Sequence, residues 1–552
     1  MLLRRCLIQR RLVSHVTTPI FYPNAKPHLG HLYSSLICDV FHRWKTLQGE
    51  ENLFTTGTDE HGLKIQLASE RNGFQNPKQF VDKLYDDFIT LDKAFNVNFT
   101  RFIRTTDTDH INNVRKLWNL CDKNGFIYQG EHKGWYSISD ETFYPESKVI
   151  EDPVNTGKYL NTETNNEVVY HSEKNHFFKL SHFNDQLIDY IESNPQFIYP
   201  EVKRVQILNE LRNNRLQDLS ISRPSFRLKW GIDVPGDPSQ KMYVWFDALC
   251  NYLTSIGGID AIMNNEPHTK LLHTRKEIQS PRDWWSNTTH VIGKDIIRFH
   301  TIYWPSFLMA AGLPLPRQVV VHSHWICNGM KMSKSLGNVV DPLLMKKHYG
   351  EDPMRWFLLE NSQLEEDGDF QESKLFSLTE MFASKWGNLV NRCCGPKFNL
   401  QRAVQFYSDG RNPLLVNDDN LQAEVNNLVK KLSNIPISMD KKMNNFQTAS
   451  ALRDVWSIIN DTNAFMQNAE PWTKGPAEQD AIIFLCMETS RILSILCQPI
   501  IPDLAAKLLD RIDVEKDNRT TDFSRIGADT TYGVGSNVKG RTVPIKRVTK
   551  RT

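Results

Sequence analysis

The stretch VTTPIFYPNAKPHLGHLYSSLICDVFHRWKTLQGEENLFTTGTDEHG, residues 16 to 62, decides the fold of this chain. A short β-rich run is broken by Pro19 and Pro23 and leads through a loop into a helix. A second strand follows and ends in the polar turn TGTDEHG. Strand–loop–helix–strand is typical of a parallel sheet, in which ligands lie beyond the carboxyl ends of the strands. The helix is amphipathic, because its apolar residues recur at steps of three and four, namely Leu32, Leu36, Val40, Trp44 and Leu47.

The remainder of the chain changes composition twice. From about 117 to 229 turn-forming residues accumulate, which indicates an insertion in the α/β core. The sheet pattern resumes at KMYVWFDALCNYL and HVIGKDIIRFH. After about 376, long apolar faces with a 3.6-residue period favour a helix bundle. The sequence therefore predicts an α/β Rossmann-like parallel-sheet domain that carries an inserted α+β connective domain and is followed by an all-α helix bundle.

The composition of the 552 residues is that of an ordinary soluble globular chain, with 40% hydrophobic and 24% charged residues. A net charge of only +2 excludes a generally polycationic surface, so any contact with nucleic acid must come from local clusters. The nine cysteines are scattered without a CxxC pair, which argues against disulfides and zinc ribbons and favours a reducing compartment. No apolar run approaches the roughly 18 residues of a membrane span. We expect no membrane partner.

The N-terminus differs from everything that follows. MLLRRCLIQRRLVSH contains four arginines, and the first acidic residue of the chain is Asp39. An arginine-rich, acid-free segment that is amphipathic as a helix is typical of a mitochondrial presequence. We therefore expect a presequence at 1–14 and a location in the mitochondrial matrix, with an ordinary basic tail as the alternative.

His28, Gly30 and His31 stand where the first long helix begins. Two histidines three residues apart could ligate a metal, but a metal site needs at least a third ligand nearby. The turn could also be an ordinary helix entry. A phosphate site fits better, because N–H groups at a helix start attract anions and imidazoles add donors for charge that develops on a transferring phosphate. Gly30 would let a flat base approach the backbone.

A second cationic segment lies about three hundred residues later, in the glycine-flanked loop NGMKMSKSLGN. Its lysines, Lys331 and Lys334, flank small hydroxyl residues and would form a mobile clamp for a pyrophosphate whose charge rises as it leaves. Alone, this pattern could be a solvated loop. Together with the His-x-Gly-His turn in a parallel α/β chain, the pattern is improbable by chance and favours a site for phosphate and a leaving pyrophosphate.

The pair of motifs resembles the two signatures of the class I aminoacyl-tRNA synthetases, and the resemblance runs from about residue 16 to beyond 500. The intervening stretches are most similar to the methionyl-tRNA synthetase family: TTPIFYPNAKPHLGH, TGTDEHG, ISRPSFRLKWGI, YVWFDALCNYL, GKDIIRFHTIYWP and NRCCGPKFN. The resemblance implies activation of L-methionine by ATP with Mg²⁺, and transfer to tRNA(Met) with a CAU anticodon. The polarizable thioether sulfur of methionine makes favourable contacts with the edges of aromatic rings, so a pocket lined by aromatic residues suits a methionine side chain.

Residue by residue, the resemblance implies three sites. His28, His31, Lys331 and Lys334 would be catalytic, and with Gly30, Gly293 and Asp295 they would bind ATP; Val321 to His324 would lie near the adenine, and Arg223 would touch ATP or the carboxylate. Asp59 would bind the ammonium group of methionine. The rest of the methionine pocket would comprise Ile20, Tyr22, Trp245, Leu249, Tyr252, Ile296, His300 and Trp304.

In the helical part, Asn388 and Arg392 are one turn apart and share a face, and Trp472 follows in AEPWTK. The resemblance implies that these residues read the anticodon, with Trp472 stacked on a base. Trp472 could instead pack against the bundle. The tail from Lys539 to Thr552 has six basic residues and no acid, and it would either grip the RNA backbone or remain solvated.

The sequence pattern and the resemblance together predict these domain boundaries. They are a presequence at 1–14, a Rossmann catalytic domain in two halves at 15–116 and 230–320, a connective insertion at 117–229, a KMSKS and stem-contact region at 321–375, and an anticodon-binding domain at 376–552. Many relatives carry zinc in the insertion, but no cysteine lies between Cys121 and Cys250, so no zinc is expected. We expect a monomer.

Three alternatives remain. A related synthetase for cysteine or an aliphatic amino acid would share both motifs, although a cysteine enzyme is expected to use zinc. An RNA-binding factor on an inactive synthetase scaffold would bind RNA without activating an amino acid. A small nucleotidyltransferase would share the His-x-Gly-His turn but not KMSKS.

Overall fold

The computed structural model describes residues 13–139, 142–153, 155–332, 337–410, 414, 416, 418–536, 545 and 547–549. Most of the expected presequence, Lys334 and most of the basic tail lie outside these residues. Val13 and Ser14, which the expected presequence includes, already form the start of the first strand. Among the described residues no helix combines the length and the apolar character that a membrane span requires.

The core is a six-stranded sheet in which every neighbouring pair is parallel, as the sequence predicts. The order of strands reverses between the first strand and the strand that ends at Gly293, which creates the crevice where α/β folds bind ligands. In spatial order the strands are Arg101–Arg104, Glu51–Thr58, Val13–Thr17, Thr288–Gly293, Gln318–His322 and Ile198–Tyr199.

Helices cover both sides of this sheet, and most have the apolar face that the sequence indicates. The first of them, Leu29–Leu47, buries Leu32, Leu36, Val40 and Trp44. The α-helices between residues 29 and 311 outside the insertion are Leu29–Leu47, Leu63–Arg71, Pro77–Ala94, Thr108–Lys123, Val244–Leu249, Asn251–Thr254, Ile259–Asn264, Pro281–Ser286 and Trp304–Ala311.

The insertion is built around a long antiparallel hairpin of strands Ile127–Ser137 and Glu167–Phe178. The shorter strands Thr142–Tyr144, Val149–Glu151, Tyr159–Asn161 and Leu219–Ser220 extend it. The segment 117–229 is not uniform, because Ile198–Tyr199 returns to the edge of the core sheet and is flanked by helices Asn184–Ser193 and Glu201–Asn213. A two-residue strand is too short to leave a periodic pattern in sequence.

Small sheets connect the large parts of the molecule. One contains Ser222–Pro224, Asp233–Val234 and Asp237–Met242; one contains Thr269–Lys270 and Glu277–Ile278; and one, around the KMSKS region, contains Trp325–Cys327, Met330–Lys331 and Gly368–Phe370.

The C-terminal part is a helix bundle, which confirms the predicted all-α domain. Its apolar faces merge with those of the catalytic helices into one extended core. From the KMSKS region onward the α-helices are Pro342–Tyr349, Glu351–Glu360, Glu372–Met381, Asn388–Cys393, Leu400–Ser408, Asp419–Asn444, Thr448–Ala469, Pro476–Cys497 and Pro502–Arg511.

Polar contacts join the bundle to the catalytic domain at more than one place. At the C-terminal end of helix Leu29–Leu47, Trp44 and Gln48 donate hydrogen bonds to Asp440 of the bundle, at 3.1 and 2.6 Å. Elsewhere the buried guanidinium of Arg355 donates to the Asp39 carboxylate and to backbone carbonyls of the bundle. The two parts therefore share specific hydrogen bonds, buried at Arg355 and partly buried at Asp440, as well as apolar surface.

Candidate active site

His28 and His31 cap each other at the start of helix Leu29–Leu47. The Nδ1 atom of His28 accepts a hydrogen bond from the N–H of Gly30 at 3.1 Å, and the Nδ1 atom of His31 accepts one from the N–H of His28, also at 3.1 Å. The rings stack with centroids 3.9 Å apart. Because both Nδ1 atoms accept, a neutral imidazole at either position carries its proton on Nε2. The turn thus holds two Nε2–H donors side by side.

Burial and the neighbouring His28 lower the pKa of His31 well below its ordinary value, so this ring is neutral at neutral pH. Phe21 and Phe88 pack their rings against His31, with centroids 4.9 and 5.3 Å away. A Cβ atom at Gly30 would lie only 3.0 Å from the His28 ring. A side chain at position 30 would therefore crowd the His28 ring where it folds back over the helix start.

The carboxyl end of strand Thr288–Gly293 forms the other side of the crevice. Asp295 accepts a hydrogen bond from His324 Nε2 at 3.0 Å. Although burial opposes ionisation, this hydrogen bond and the His324 charge lower the pKa of Asp295. A Cβ atom at Gly293 would lie 2.8 Å from the Asp295 carboxylate. The predicted ATP residues Gly293 and Asp295 therefore stand together, beside a histidine from the predicted adenine segment.

Three of the predicted methionine-pocket residues form one hydrogen-bonded chain. The Tyr252 hydroxyl donates to His300 Nε2 at 2.7 Å, and His300 Nδ1–H donates to the carbonyl of Ile296 at 3.0 Å. Burial lowers the pKa of His300 to about 4, so the ring is neutral and can accept at Nε2. Leu249 and Trp304 are buried in the same core cluster, and Trp245 packs at its edge.

The remaining predicted residues come together at the ends of the first two strands. The N–H of Asp59 donates to the carbonyl of Phe21 at 2.8 Å, which joins the turn TGTDEHG to the segment that carries Ile20 and Tyr22. The Tyr22 hydroxyl donates to the carbonyl of His61 at 3.0 Å. The side chain of Asp59 is buried.

Several residues at this site were not predicted. Phe299 stacks on Trp245 with ring centroids 3.7 Å apart and planes within 5°, and it directly precedes His300 in the stretch GKDIIRFHTIYWP. His290 lies 3.9 Å from the Tyr252 ring and accepts from the indole N–H of Trp304 at 3.3 Å. Phe299 and His290 contact pocket residues that are distant from them in the sequence, so only the fold brings them together.

Asp247 was also not predicted, and it joins two histidines beneath the pocket. Its carboxylate accepts from His61 Nδ1 and from His110 Nε2, each at 2.7 Å, and all three residues are buried. Although burial disfavours the charge, the two histidines lower the pKa of Asp247. Asp247 lies on the short helix that bears Trp245 and Leu249. It therefore ties that helix to the turn that bears Asp59.

The structure describes only part of the predicted lysine clamp. Lys331 ends a short strand and is exposed, and its carbonyl accepts from the Asn338 side chain at 3.1 Å. Lys334 lies outside the described residues. Arg223 is buried and donates to the carbonyls of Ser220 and Ser222.

The predicted anticodon residues meet at one end of the bundle. Asn388 and Arg392 lie on the same short helix, and the Arg392 guanidinium is 5.6 Å from the ring of Trp472. The indole is 39% exposed, so part of its face is open to solvent. Of the basic tail, Ile545 is buried against the bundle and the carbonyl of Thr549 accepts from His348 at 2.8 Å.

Within the described ranges, one group of side chains has the spacing of metal ligands: Asp107, Asp109 and His273. Asp109 is already bound by Arg101 at 2.5 Å, and both acids stand at the start of helix Thr108–Lys123, where acids are favoured without a metal. We assign no metal to this group.

Comparison with known proteins identifies the family. Residues 14–394 match the family model described as "tRNA synthetases class I (M)", and residues 416–547 match "Anticodon binding domain of methionyl tRNA ligase". The chain is 63% identical to the mitochondrial methionine–tRNA ligase of Saccharomyces cerevisiae, over 97% of this chain and 96% of that protein. It is 39% identical to the human mitochondrial methionine–tRNA ligase, over 92% and 85%.

A solved structure agrees with this result. The methionyl-tRNA synthetase of Mycobacterium tuberculosis in complex with methionyl-adenylate superposes with a TM-score of 0.82 and 33% sequence identity, covering 97% of this chain and all of that one. Together with the paired histidines at the crevice where the strand order reverses, these matches show that the chain belongs to the methionyl-tRNA synthetase family of class I aminoacyl-tRNA synthetases.

Proposed function

We propose that this methionine–tRNA ligase activates L-methionine with Mg-ATP and transfers it to the 3′ end of tRNA(Met) with a CAU anticodon. It works as a monomer in the mitochondrial matrix and needs no zinc. The observation that carries the proposal is the reciprocal capping of His28 and His31, which holds two imidazole donors at the crevice of a parallel sheet. The names of its mitochondrial relatives support the location.

In the first step, a carboxylate oxygen of methionine attacks the α-phosphorus of ATP, and the bond to the bridging oxygen breaks so that pyrophosphate leaves. The Nε2–H groups of His28 and His31 donate to phosphate oxygens as their charge rises, and Lys331 and Lys334 follow the leaving pyrophosphate. These interactions strengthen toward the transition state, so they lower the barrier rather than only improve binding.

Substrate positioning accounts for most of the other residues. Asp295 and the open backbone at Gly293 receive the ribose of ATP. Asp59 supplies the counter-charge for the ammonium group of methionine, and Trp245, Tyr252 and Trp304 surround the thioether. His300 is held neutral by burial and fixed by its hydrogen bond to Ile296, so it shapes the pocket without adding charge.

A panel of single amino acids tests the proposed function. Pyrophosphate exchange into ATP should occur with methionine and should be at least tenfold slower with cysteine, leucine or isoleucine. Charging of tRNA transcripts should then fall when the first base of the CAU anticodon is changed. Exchange with another amino acid but not with methionine would identify a related synthetase, and RNA binding without any exchange would identify an inactive scaffold.

Asp247→Asn should raise the KM for methionine in this exchange about tenfold, while the KM for ATP changes little. An amide turns its NH2 group toward one of the two histidine N–H groups, so the hydrogen bond to His61 or the one to His110 is lost. The Trp245 helix is then held less firmly against the Asp59 turn or against helix Thr108–Lys123. The loss is worth about 1–3 kcal/mol. Asp260→Asn, at an exposed carboxylate, is the matched control. Equal effects on both KM values would show that Asp247 does not act on the methionine pocket.

A further inference from the structure

An open cavity of about 500 Å³ lies at the opposite edge of the core sheet from the candidate active site. Thr100, which lines the cavity, directly precedes strand Arg101–Arg104, so the cavity lies at the amino ends of the core strands. The proposed ATP and methionine sites lie at the carboxyl ends of the same sheet. The volume is within the range of about 300–1,000 Å³ that small-molecule sites occupy.

Helix Leu29–Leu47 separates this cavity from the paired histidines. His28 stands at the start of the helix, whereas His42 lines the cavity near its end. With a rise of 1.5 Å per residue, the two positions are about 21 Å apart along the helix axis. A small molecule in the cavity therefore cannot also reach the phosphate-binding turn at His28 and His31.

Two neighbouring cationic side chains, Arg275 and Lys276, line the cavity. Among the described residues neither has a carboxylate within salt-bridge distance, and Lys276 Nζ donates only to the carbonyl of Asn52, at 3.4 Å. Burial lowers the pKa of the Lys276 ammonium group, and the charge of Glu51 only partly offsets this effect. Two cations that face one cavity without a carboxylate partner attract an anion, which can accept charge-assisted hydrogen bonds from both.

A buried imidazole adds a hydrogen-bonding group that the described part of the chain does not use. His42 is only 6% exposed, and its Nδ1 atom has no hydrogen-bond partner among the described residues. Burial lowers the pKa of His42 to about 4, although Asp39 and Asn52 raise it, so the ring is neutral at neutral pH. A neutral imidazole donates or accepts at Nδ1 according to its tautomer. An unpaired buried polar atom in the wall of a cavity points to a ligand.

The nearby acids are already engaged elsewhere. Asp39 accepts ion pairs from Arg43 and Arg355, at 2.9 and 2.6 Å. His273 also lines the cavity, but it stands beside the two acids at the start of helix Thr108–Lys123, so we do not count it as an anion ligand. The cationic end of the cavity is therefore the part around Arg275.

The rest of the lining is neutral and suits an organic group. Asn98 contributes an amide and Phe99 a partly exposed aromatic ring. A free phosphate ion would occupy only the cationic end of a space of about 500 Å³. We infer that the cavity binds the phosphate group of a small molecule, with its oxygens on Arg275 and Lys276. The remainder of the molecule then lies against His42, Asn98 and Phe99.

Isothermal titration calorimetry at constant ionic strength tests the inference. The ATP site is first saturated with a stable analogue of methionyl-adenylate, and inorganic phosphate, AMP and adenosine are then titrated separately. We expect the double variant Arg275→Gln/Lys276→Gln to bind phosphate and AMP at least tenfold more weakly than wild type, because both charge-assisted hydrogen bonds are lost. Lys270→Gln is the matched control and should bind like wild type, because Lys270 is exposed on the same hairpin but does not line the cavity.

The three probes also distinguish the sources of the phosphate group. Tighter binding of AMP than of phosphate would support a phosphate ester as the ligand, and equal affinities would support free phosphate. Three results would overturn the inference: no binding of phosphate or AMP to wild type, undiminished binding to the double variant, or an equal loss in Lys270→Gln. Binding of adenosine as tight as that of AMP would also overturn it. Failure of the adenylate analogue to bind would instead contradict the proposed function.

Discussion

His28→Asn should lower methionine-dependent pyrophosphate exchange by about 10²–10³-fold, which is the usual cost of removing one donor to developing charge. Asparagine is among the best residues at the start of a helix, and its side-chain oxygen can accept the N–H hydrogen bond that His28 Nδ1 now accepts. The variant therefore keeps the cap and removes only the imidazole donor. Steady-state exchange at saturating methionine and ATP measures the effect.

His28→Ala is the comparison, because it removes the cap as well. It should lose a similar factor in exchange and in addition about 0.5–2 kcal/mol of stability. Methionine affinity should be almost unchanged in both variants, since the pocket around Tyr252 and His300 does not include His28. If His28→Asn keeps full exchange activity, the paired histidines serve only to start the helix.

Arg355→Ala should destabilise the protein by about 3–5 kcal/mol, the range found when one partner of a buried ion pair is removed. The Arg355 guanidinium is completely buried and donates to the Asp39 carboxylate at 2.6 Å, to Phe95 at 2.8 Å, and to Pro499 and Ile500 at 2.8 and 2.7 Å. Its loss leaves carbonyls of both domains without these donors. Denaturant unfolding followed by tryptophan fluorescence should show an earlier transition.

Arg298→Ala provides the control for this prediction. Arg298 is about half exposed and pairs with Glu210 at 3.1 Å, so its removal should cost at most about 1 kcal/mol. Arg355→Lys should resemble Arg355→Ala more than wild type, because an ammonium cannot reach four acceptors that are arranged for a planar guanidinium. Equal unfolding curves for Arg355→Ala and Arg298→Ala would contradict the prediction.

Local patterns predicted the parts of the molecule that depend on neighbours in the chain. The spacing of apolar residues predicts the helix that begins after His28, and it likewise predicts the helices Thr448–Ala469 and Pro476–Cys497. The motifs at 28–31 and 331–335 indicated the family because chemistry constrains those residue types at those spacings. The assignment of single residues to ATP or methionine stays a prediction.

Features made by distant residues escaped the sequence analysis. Asp247 joins His61 and His110, which are 186 and 137 positions away from it. The strand Ile198–Tyr199 is part of the core sheet only because Gln318–His322 lies beside it. A cavity of about 350 Å³ is lined by Tyr136 and Ile138 of the insertion and by Leu67 and Leu228 of the catalytic domain. None of these has a periodic signature, since each depends on which surfaces the topology brings together.

Helix Leu29–Leu47 has one further consequence, which is mechanical. His28 and His31 lie at its start, and at its other end Trp44 and Gln48 donate hydrogen bonds to Asp440 of the bundle. Nineteen residues span about 28 Å, so a tilt of roughly 2° about the end that is bonded to Asp440 displaces the histidines by about 1 Å. A misplacement of about 1 Å can change a reaction rate 10²-fold. We therefore expect a small rotation of this helix about its contact with Asp440 to change the reaction rate at the paired histidines.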